Sequence, residues 1–154
     1  FYDFFSGSGA MGLEAISRGA KGCLLIEKDL DAFKCLSQNT QKAMERLKGS
    51  YLEPEFITPL QQDVKKSIKF LRHYKPADIV WADPPYAVTL EWLDFFSKYL
   101  DDITSQDAMF LMEMDLKTVP HAILNIASWQ QVATKRYGSI SIVVWQKKGE
   151  EHAK

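Results

Sequence analysis

Short apolar runs alternate with amphipathic, helix-like segments up to Met112, and this order restricts the possible folds more than any other feature of the sequence. Such an order predicts parallel strands joined by right-handed helical crossovers. The apolar runs that we expect to form strands are 1–5, 22–26, 56–60, 77–81 and 108–112, and the helical segments between them are 10–18, 30–47, about 63–71 and 89–100. In the segment 30–47 we expect Phe33, Leu36 and Met44 to face inward.

The pattern changes near the carboxyl end of the chain. Residues 131–137 and 139–146 read as two strands that meet at Gly138, which predicts an antiparallel hairpin. We therefore expect an α/β fold with a Rossmann-like, mostly parallel sheet that ends in an antiparallel hairpin. A length of 154 residues with 46% hydrophobic and 25% charged residues fits a single domain over 1–154. Four aromatic residues are expected in its core, with a protein interface as the alternative, namely Trp92, Phe95, Phe96 and Trp129.

A glycine-rich turn follows the first apolar run. Gly7, Gly9 and Gly12 match G-x-G-x-x-G between a strand and a helix, the context in which this pattern binds nucleotides. Glu27 follows Gly7 by twenty residues and ends the next strand, where a carboxylate accepts hydrogen bonds from ribose hydroxyls. These features alone fit an NAD-dependent oxidoreductase as well as a methyltransferase.

Asp3 favours a methyltransferase over an oxidoreductase. It lies four residues before Gly7, and a carboxylate facing the loop repels a pyrophosphate but attracts a ligand that carries an ammonium and a sulfonium group. The stretch from Asp3 to Gly9 resembles the D-x-F-x-G-x-G form of methyltransferase motif I. A structural alternative is that Asp3 bonds the loop amides. Asp63, after the third strand, is where this kind of fold usually places a contact to the cofactor's adenine.

The string Asp83-Pro84-Pro85-Tyr86 ends the fourth strand and carries the most chemical information. Two prolines stiffen the turn, so that the Pro84 carbonyl and the Asp83 carboxylate are held as two acceptors. Two such acceptors orient an exocyclic amine of a base, and Tyr86 offers a ring for stacking on a base that has left its helix. A plain Pro-Pro turn beside an incidental acid is the alternative interpretation.

These motifs together resemble the bacterial 16S ribosomal RNA (guanine(966)-N2)-methyltransferases, which have a class I methyltransferase fold. The similar stretches are 3–20, 25–29 and 78–86, and Arg136-Tyr137-Gly138 in the hairpin also fits. The resemblance implies S-adenosylmethionine as cofactor and methylation of a guanine N2 amine in 16S rRNA or in a small-subunit assembly intermediate. It implies catalytic roles for Asp83, Pro84 and Tyr86, and base binding by Pro85 and Tyr86. The residues expected to bind the cofactor are Asp3, Phe5, Gly7, Ser8, Gly9, Glu27, Lys28, Asp63 and Val64.

Two other activities stay open. An adenine-N6 methyltransferase acting on DNA or RNA would use the same Asp-Pro-Pro-Tyr chemistry, and a non-catalytic RNA-binding module would keep the fold without turnover. The formal charge of -1 gives no general sign of nucleic-acid binding, so RNA affinity has to come from local groups. The candidates are Lys65, Lys66, Lys69, Arg72 and Lys75 in one patch, and Lys135, Arg136, Lys147 and Lys148 in another.

Further expectations concern the cysteines, the cellular location and the start of the chain. Cys23 and Cys35 have neither CxxC nor zinc spacing, so we expect two buried, reduced thiols and no metal. The sequence has neither an apolar stretch long enough for a membrane span nor a signal peptide, which predicts a cytoplasmic protein without membrane contact. We also expect the protein to be a monomer. The chain opens inside a strand without an initiating methionine, so we expect native residues upstream, where the family resembled carries a helix with a P-T-x-x-x-x-R-E-like motif.

Overall fold

The computed structural model describes residues 1–124 and 126–149. The chain divides into two compact units, Phe1–Phe70 and Leu71–Lys154. Each unit contains strands and helices in the order that the sequence predicts.

The first unit is a parallel β-sheet with helical crossovers. Its strands are β1 (Tyr2–Phe4), β2 (Gly22–Glu27) and β3 (Phe56–Gln61), and its helices are α1 (Ala10–Ser17), α2 (Leu30–Leu47) and the start of α3 (Val64–Leu71), which crosses the division between the units. Strand β2 lies between β1 and β3 and is parallel to both. Pro59 is tolerated in β3 because this strand pairs only with β2 in the first unit, and an edge strand leaves some amides unpaired. The predicted strands and helices are confirmed here.

Apolar side chains from α1, α2 and β2 build the core of the first unit. Ile16, Cys23, Leu25 and Leu36 are buried together, and Phe33 packs against them. Burial is the largest cause that raises the pKa of the Cys23 thiol, to about 12, so this cysteine stays protonated and inert at neutral pH.

Two expectations about α2 are wrong. Cys35 is exposed rather than buried, because it precedes the core-facing Leu36 by one position and a helix turns about 100° per residue. Met44 is also exposed, at 40%. The buried stripe runs from Leu36 through Thr40 and continues with the half-buried Ala43, which leaves Met44 on the solvent side.

The second unit combines one parallel and two antiparallel strand pairs. Strands β4 (Ala77–Ala82) and β5 (Thr104–Asp115) are parallel, β7 (Ile140–Lys147) is antiparallel to β5, and β6 (Trp129–Tyr137) forms a hairpin with β7. The helices α4 (Thr89–Phe96) and α5 (Leu100–Ile103) lie between β4 and β5 in the chain. Gly138 turns the hairpin with a φ of 62°, a conformation that glycine adopts without strain. The predicted hairpin is confirmed.

The connection between β4 and β5 differs from the expectation. The helix predicted over 89–100 ends at Phe96, and the separate α5 follows. The Ser97 amide still donates to the Leu93 carbonyl, but the amides of Lys98 and Tyr99 donate to the carbonyls three residues back, and this tighter turn ends the helix. Strand β5 begins at Thr104 instead of 108, and Asp107 takes a φ of 38° where the pairing with β4 shifts register. Trp92, Phe96 and Trp129 are buried as predicted, and Phe95 is half-buried.

Two kinds of feature are absent from the described ranges, 1–124 and 126–149. Within these ranges none of the helices is long and apolar enough to cross a membrane. The same residues include no group of three or more His, Cys, Asp or Glu side chains arranged to hold a metal ion.

Candidate active site

The glycine turn of the first unit is held in place by its own backbone and by two neighbouring strands. The Ser6 amide and hydroxyl both donate to the Ile26 carbonyl, at 3.0 and 3.2 Å, and the Gly9 amide donates to the Ser6 carbonyl at 2.7 Å. Gly7 and Gly9 take φ angles of 53° and 86°. Asn39 on α2, which the sequence did not single out, donates to the Ser8 carbonyl at 2.9 Å. The turn is therefore a fixed backbone platform at the end of β1.

The three glycines have different environments. A Cβ added at Gly7 would meet no heavy atom within 4 Å, so the backbone there faces open space. A Cβ at Gly9 would lie 2.5 Å from the Leu36 side chain, and one at Gly12 would lie 2.6 Å from both Cys23 and Leu25. Gly7 thus leaves room for a ligand, whereas Gly9 and Gly12 allow the loop and α1 to pack closely on the core.

Glu27 joins the glycine turn to the start of α2. One carboxylate oxygen accepts from the Gly7 amide at 2.8 Å, and the other accepts from the Asp29 amide at 2.8 Å. Asp29 in turn caps α2 by accepting from the Asp31 and Ala32 amides. A carboxylate has about four acceptor positions, so Glu27 keeps capacity for ligand hydroxyls while its orientation is fixed.

Asp3 is buried on β1 and accepts from the Gly12 amide at 3.0 Å. The alternative interpretation of Asp3 was a structural bond to the amides of the loop, and this bond is of that kind because it ties β1 to the first turn of α1. Its cofactor role, which the sequence suggested, stays a prediction.

The remaining cofactor candidates surround the same strand ends. Phe5 has a φ of 65° at the start of the turn, Lys28 is exposed after β2, and Asp63 is half-buried after β3. The Gln62 amide donates to the Glu27 carbonyl at 3.0 Å, which brings the end of β3 beside Glu27. Val64 is 4% exposed, so only its main chain is available to a ligand. The first unit therefore gathers all nine predicted cofactor residues around the ends of its three parallel strands.

The Asp83-Pro84-Pro85-Tyr86 string forms a rigid turn after β4 in the second unit. Pro84 is buried and Pro85 is exposed. The Val88 amide donates to the Pro85 carbonyl, and the buried Thr89 hydroxyl donates to the Tyr86 carbonyl at 3.1 Å. These bonds hold the main chain of Tyr86 while its side chain stays 44% exposed, which leaves the ring free to stack on a planar ligand.

Glu113 completes this group and was missed in the sequence. Its Oε1 accepts from the Tyr86 hydroxyl at 2.6 Å, and this bond is the largest cause that raises the pKa of Tyr86 to about 12. Asp83 retains solvent access, yet partial desolvation, followed by the negative charge of Glu113, raises its pKa to about 6. The available sequence signal was a single acid among the apolar residues from Phe110 to Met114, near the end of β5.

Comparison with known proteins assigns the family. The family model described as "Conserved hypothetical protein 95" matches residues 1–146. The chain belongs to this family.

Named relatives of this family member are ribosomal RNA methyltransferases. The chain is 29% identical to "Ribosomal RNA small subunit methyltransferase D" of Escherichia coli K12, over 96% of the chain and 68% of that protein. It is 34% identical to the Haemophilus influenzae protein of the same name over 88 residues, which cover 57% of the chain but only 42% of the relative. The resemblance to small-subunit ribosomal RNA methyltransferases is thereby confirmed.

A solved structure supports the fold. A Haemophilus influenzae protein provisionally described as a methylase superimposes with a TM-score of 0.70 at 25% identity, covering 96% of this chain and 85% of that one. The expected α/β architecture of this family member, parallel strands followed by antiparallel C-terminal strands, is confirmed.

Proposed function

We propose that this protein transfers a methyl group from S-adenosylmethionine to the exocyclic N2 amine of a guanine in 16S ribosomal RNA. The observation that carries the proposal is the stiff turn after β4, which holds the Asp83 carboxylate beside the half-exposed ring of Tyr86. The names of the E. coli and H. influenzae relatives support ribosomal RNA of the small subunit as the substrate.

The first unit supplies the features that fit the methyl donor. The open backbone at Gly7 admits a ligand, and the fixed carboxylate of Glu27 suits the two hydroxyls of a ribose. Carboxylates next to the glycine turn disfavour the pyrophosphate of a dinucleotide but tolerate a cationic ligand. When bound, S-adenosylmethionine supplies an electrophilic methyl group on a sulfonium. We assign its ribose to Glu27, its adenine to the neighbourhood of Asp63 and Val64, and its amino-acid part to the Asp3–Gly9 segment and Lys28.

The second unit supplies the features that fit the acceptor amine. The N2 lone pair of guanine is delocalised into the ring, so the amine is a poor nucleophile. The Asp83 carboxylate and the Pro84 carbonyl accept its two N–H groups and turn the lone pair toward the incoming methyl group. As the new N–C bond forms, the nitrogen becomes acidic and releases a proton, which Asp83 can accept. Its pKa of about 6 keeps Asp83 mostly ionised at neutral pH, and a stronger base is unnecessary.

Tyr86 and Pro85 position the base. The Tyr86 ring offers a stacking face for a base that has left its helix, and the exposed Pro85 lies beside it in the chain. Stacking of a base on an aromatic ring contributes about 1–3 kcal/mol, which offsets part of the cost of unstacking it from RNA.

Exposed basic residues supply candidate contacts to the RNA backbone. Lys65, Lys66 and Lys69 are exposed on α3, Arg72 and Lys75 follow it, and Lys135 and Arg136 are exposed on β6. Lys147 is a weaker candidate, because its side chain is mostly buried and forms an ion pair with Asp101 at 3.2 Å. We propose that the protein acts as a monomer on 16S rRNA or on a small-subunit assembly intermediate.

The test is methyl transfer from labelled S-adenosylmethionine to small ribosomal subunits that lack the modification, with naked DNA as the competing substrate. Mass spectrometry of the digested RNA is expected to find N2-methylguanosine. Asp83→Ala should abolish transfer while leaving calorimetric binding of S-adenosylhomocysteine nearly intact, and Asp102→Ala, an exposed acid of the same unit, should retain transfer. Label in DNA alone would overturn the RNA assignment. NADH binding without S-adenosylhomocysteine binding would favour an oxidoreductase.

A further inference from the structure

Glu113 has no role in the mechanism above, although it follows β5 residue Met112 just as Asp83 follows the paired β4 residue Ala82. Strands β4 and β5 are parallel, and Ala82 pairs with Met112. The next residue along the chain is an acid in both cases, Asp83 directly after the end of β4 and Glu113 within β5. Met112 and Met114 are buried, whereas Glu113 between them is half-buried on the opposite face of the strand.

The two carboxylates bring two negative charges close enough together for the charge of Glu113 to act on Asp83. Across residues 1–124 and 126–149, neither Asp83 nor Glu113 forms an ion pair with a lysine or arginine. The only side-chain hydrogen bond described for Glu113 is the one from the Tyr86 hydroxyl to Oε1 at 2.6 Å. Two close negative charges without a cation cost free energy, and a ligand that brings several N–H donors would offset this cost.

Guanine is the standard base whose Watson–Crick edge brings such a row of donors, with N1–H beside the two hydrogens of N2. Adenine and cytosine place an acceptor nitrogen beside their exocyclic amines, and uracil has a single N–H between two carbonyls. A carboxylate that faces the ring nitrogen therefore attracts guanine and repels the lone pair of adenine or cytosine.

We propose that Glu113 accepts the N1–H of the target guanine, while Asp83 and the Pro84 carbonyl accept the two N2 hydrogens, so that Glu113 determines the choice of base. This inference rests on the proposed function. The Tyr86 hydroxyl holds one oxygen of Glu113 and leaves Oε2 to the base. Sites built to bond a donor group discriminate strongly against an analogue without it, because their own polar group is then left unpaired.

The experiment compares two RNA substrates that differ at the target base. One carries guanine, and the other carries 2-aminopurine, which keeps the N2 amine but has an acceptor at N1. The native, full-length protein is expected to methylate the 2-aminopurine RNA at least about 100-fold more slowly, in terms of kcat/KM. Equal rates on the two RNAs would overturn the inference whatever the behaviour of any variant.

Glu113→Gln provides the second comparison. The amide presents an NH₂ group to the N1 acceptor of 2-aminopurine and loses the charge-assisted bond to guanine. The ratio of guanine to 2-aminopurine rates should therefore fall by about tenfold or more. Glu91→Gln, an exposed acid on α4, should leave the ratio unchanged. A folded, active Glu113→Gln enzyme with the native ratio would refute the role of Glu113 but would leave the proposed function standing. A native enzyme that methylates neither RNA would refute the proposed function and the inference together.

Discussion

Replacing Asp83 with Asn should stabilise the protein while it removes activity. The Asp83 pKa rises from 3.8 to about 6 in the folded protein, first through desolvation and then through the charge of Glu113. Because protonation is easier in the folded state than in the unfolded state, the ionised carboxylate opposes folding. The stabilising effect of the proton is complete below pH 4 or so and disappears as the pH rises through about 6.

The size of the effect follows from the shift. About two pKa units correspond to a ceiling of roughly 3 kcal/mol in the free energy of unfolding. Asp83 is exposed, so solvent screening reduces the expected value to about 1 kcal/mol. For a chain of this size that amounts to a rise of about 2–4 °C in Tm.

The prediction is tested by measuring the Tm of the wild type and of Asp83→Asn at pH 4 and pH 7.5. The two proteins should melt together at pH 4, and the variant should melt higher at pH 7.5. Asp102→Asn removes one negative charge elsewhere in the second unit and should show no such gain. Two results would contradict this prediction. One is a variant Tm below that of the wild type at pH 7.5, and the other is a Tm difference between the two proteins that is the same at both pH values.

Three further predictions follow from local contacts. The kcat/KM for methyl transfer should rise between pH 5 and 7 with a midpoint near 6, because Asp83 acts in its ionised form, and a flat profile would contradict this. Gly12→Ala should lower the free energy of unfolding in urea by about 1–3 kcal/mol, since its methyl group would lie 2.6 Å from Cys23 and Leu25, whereas Ser17→Ala on the same helix should be nearly neutral. Asp29→Ala should cost about 1 kcal/mol in the same assay through loss of the α2 cap, and an unchanged midpoint would argue against that cap.

Much of the fold was predictable from local patterns. The order of strands and helices followed from apolar periodicity, and Asp29 marked the start of α2 because its side chain satisfies free amides of the first turn. Boundaries that depend on single contacts were not predictable. Helix α4 ends where the Lys98 and Tyr99 amides bond to carbonyls three residues back, and Met44 is exposed because the buried stripe of α2 drifts around the helix.

The candidate site was predictable where its residues are consecutive. The glycine turn, Glu27 and the Asp83–Tyr86 string each lie at a strand end that the sequence marks. Glu113 was missed because its partnership with Tyr86 joins residues 27 positions apart. Only the parallel pairing of β4 with β5 brings the two side chains together, and the register of that pairing is absent from any local pattern.

The most direct test of the central claim is the chemical identity of the nucleoside that this protein methylates. We expect N2-methylguanosine in digests of 16S rRNA incubated with the native protein and labelled S-adenosylmethionine, and none with Asp83→Ala. Recovery of N6-methyladenosine instead, or undiminished N2-methylguanosine with Asp83→Ala, would contradict it.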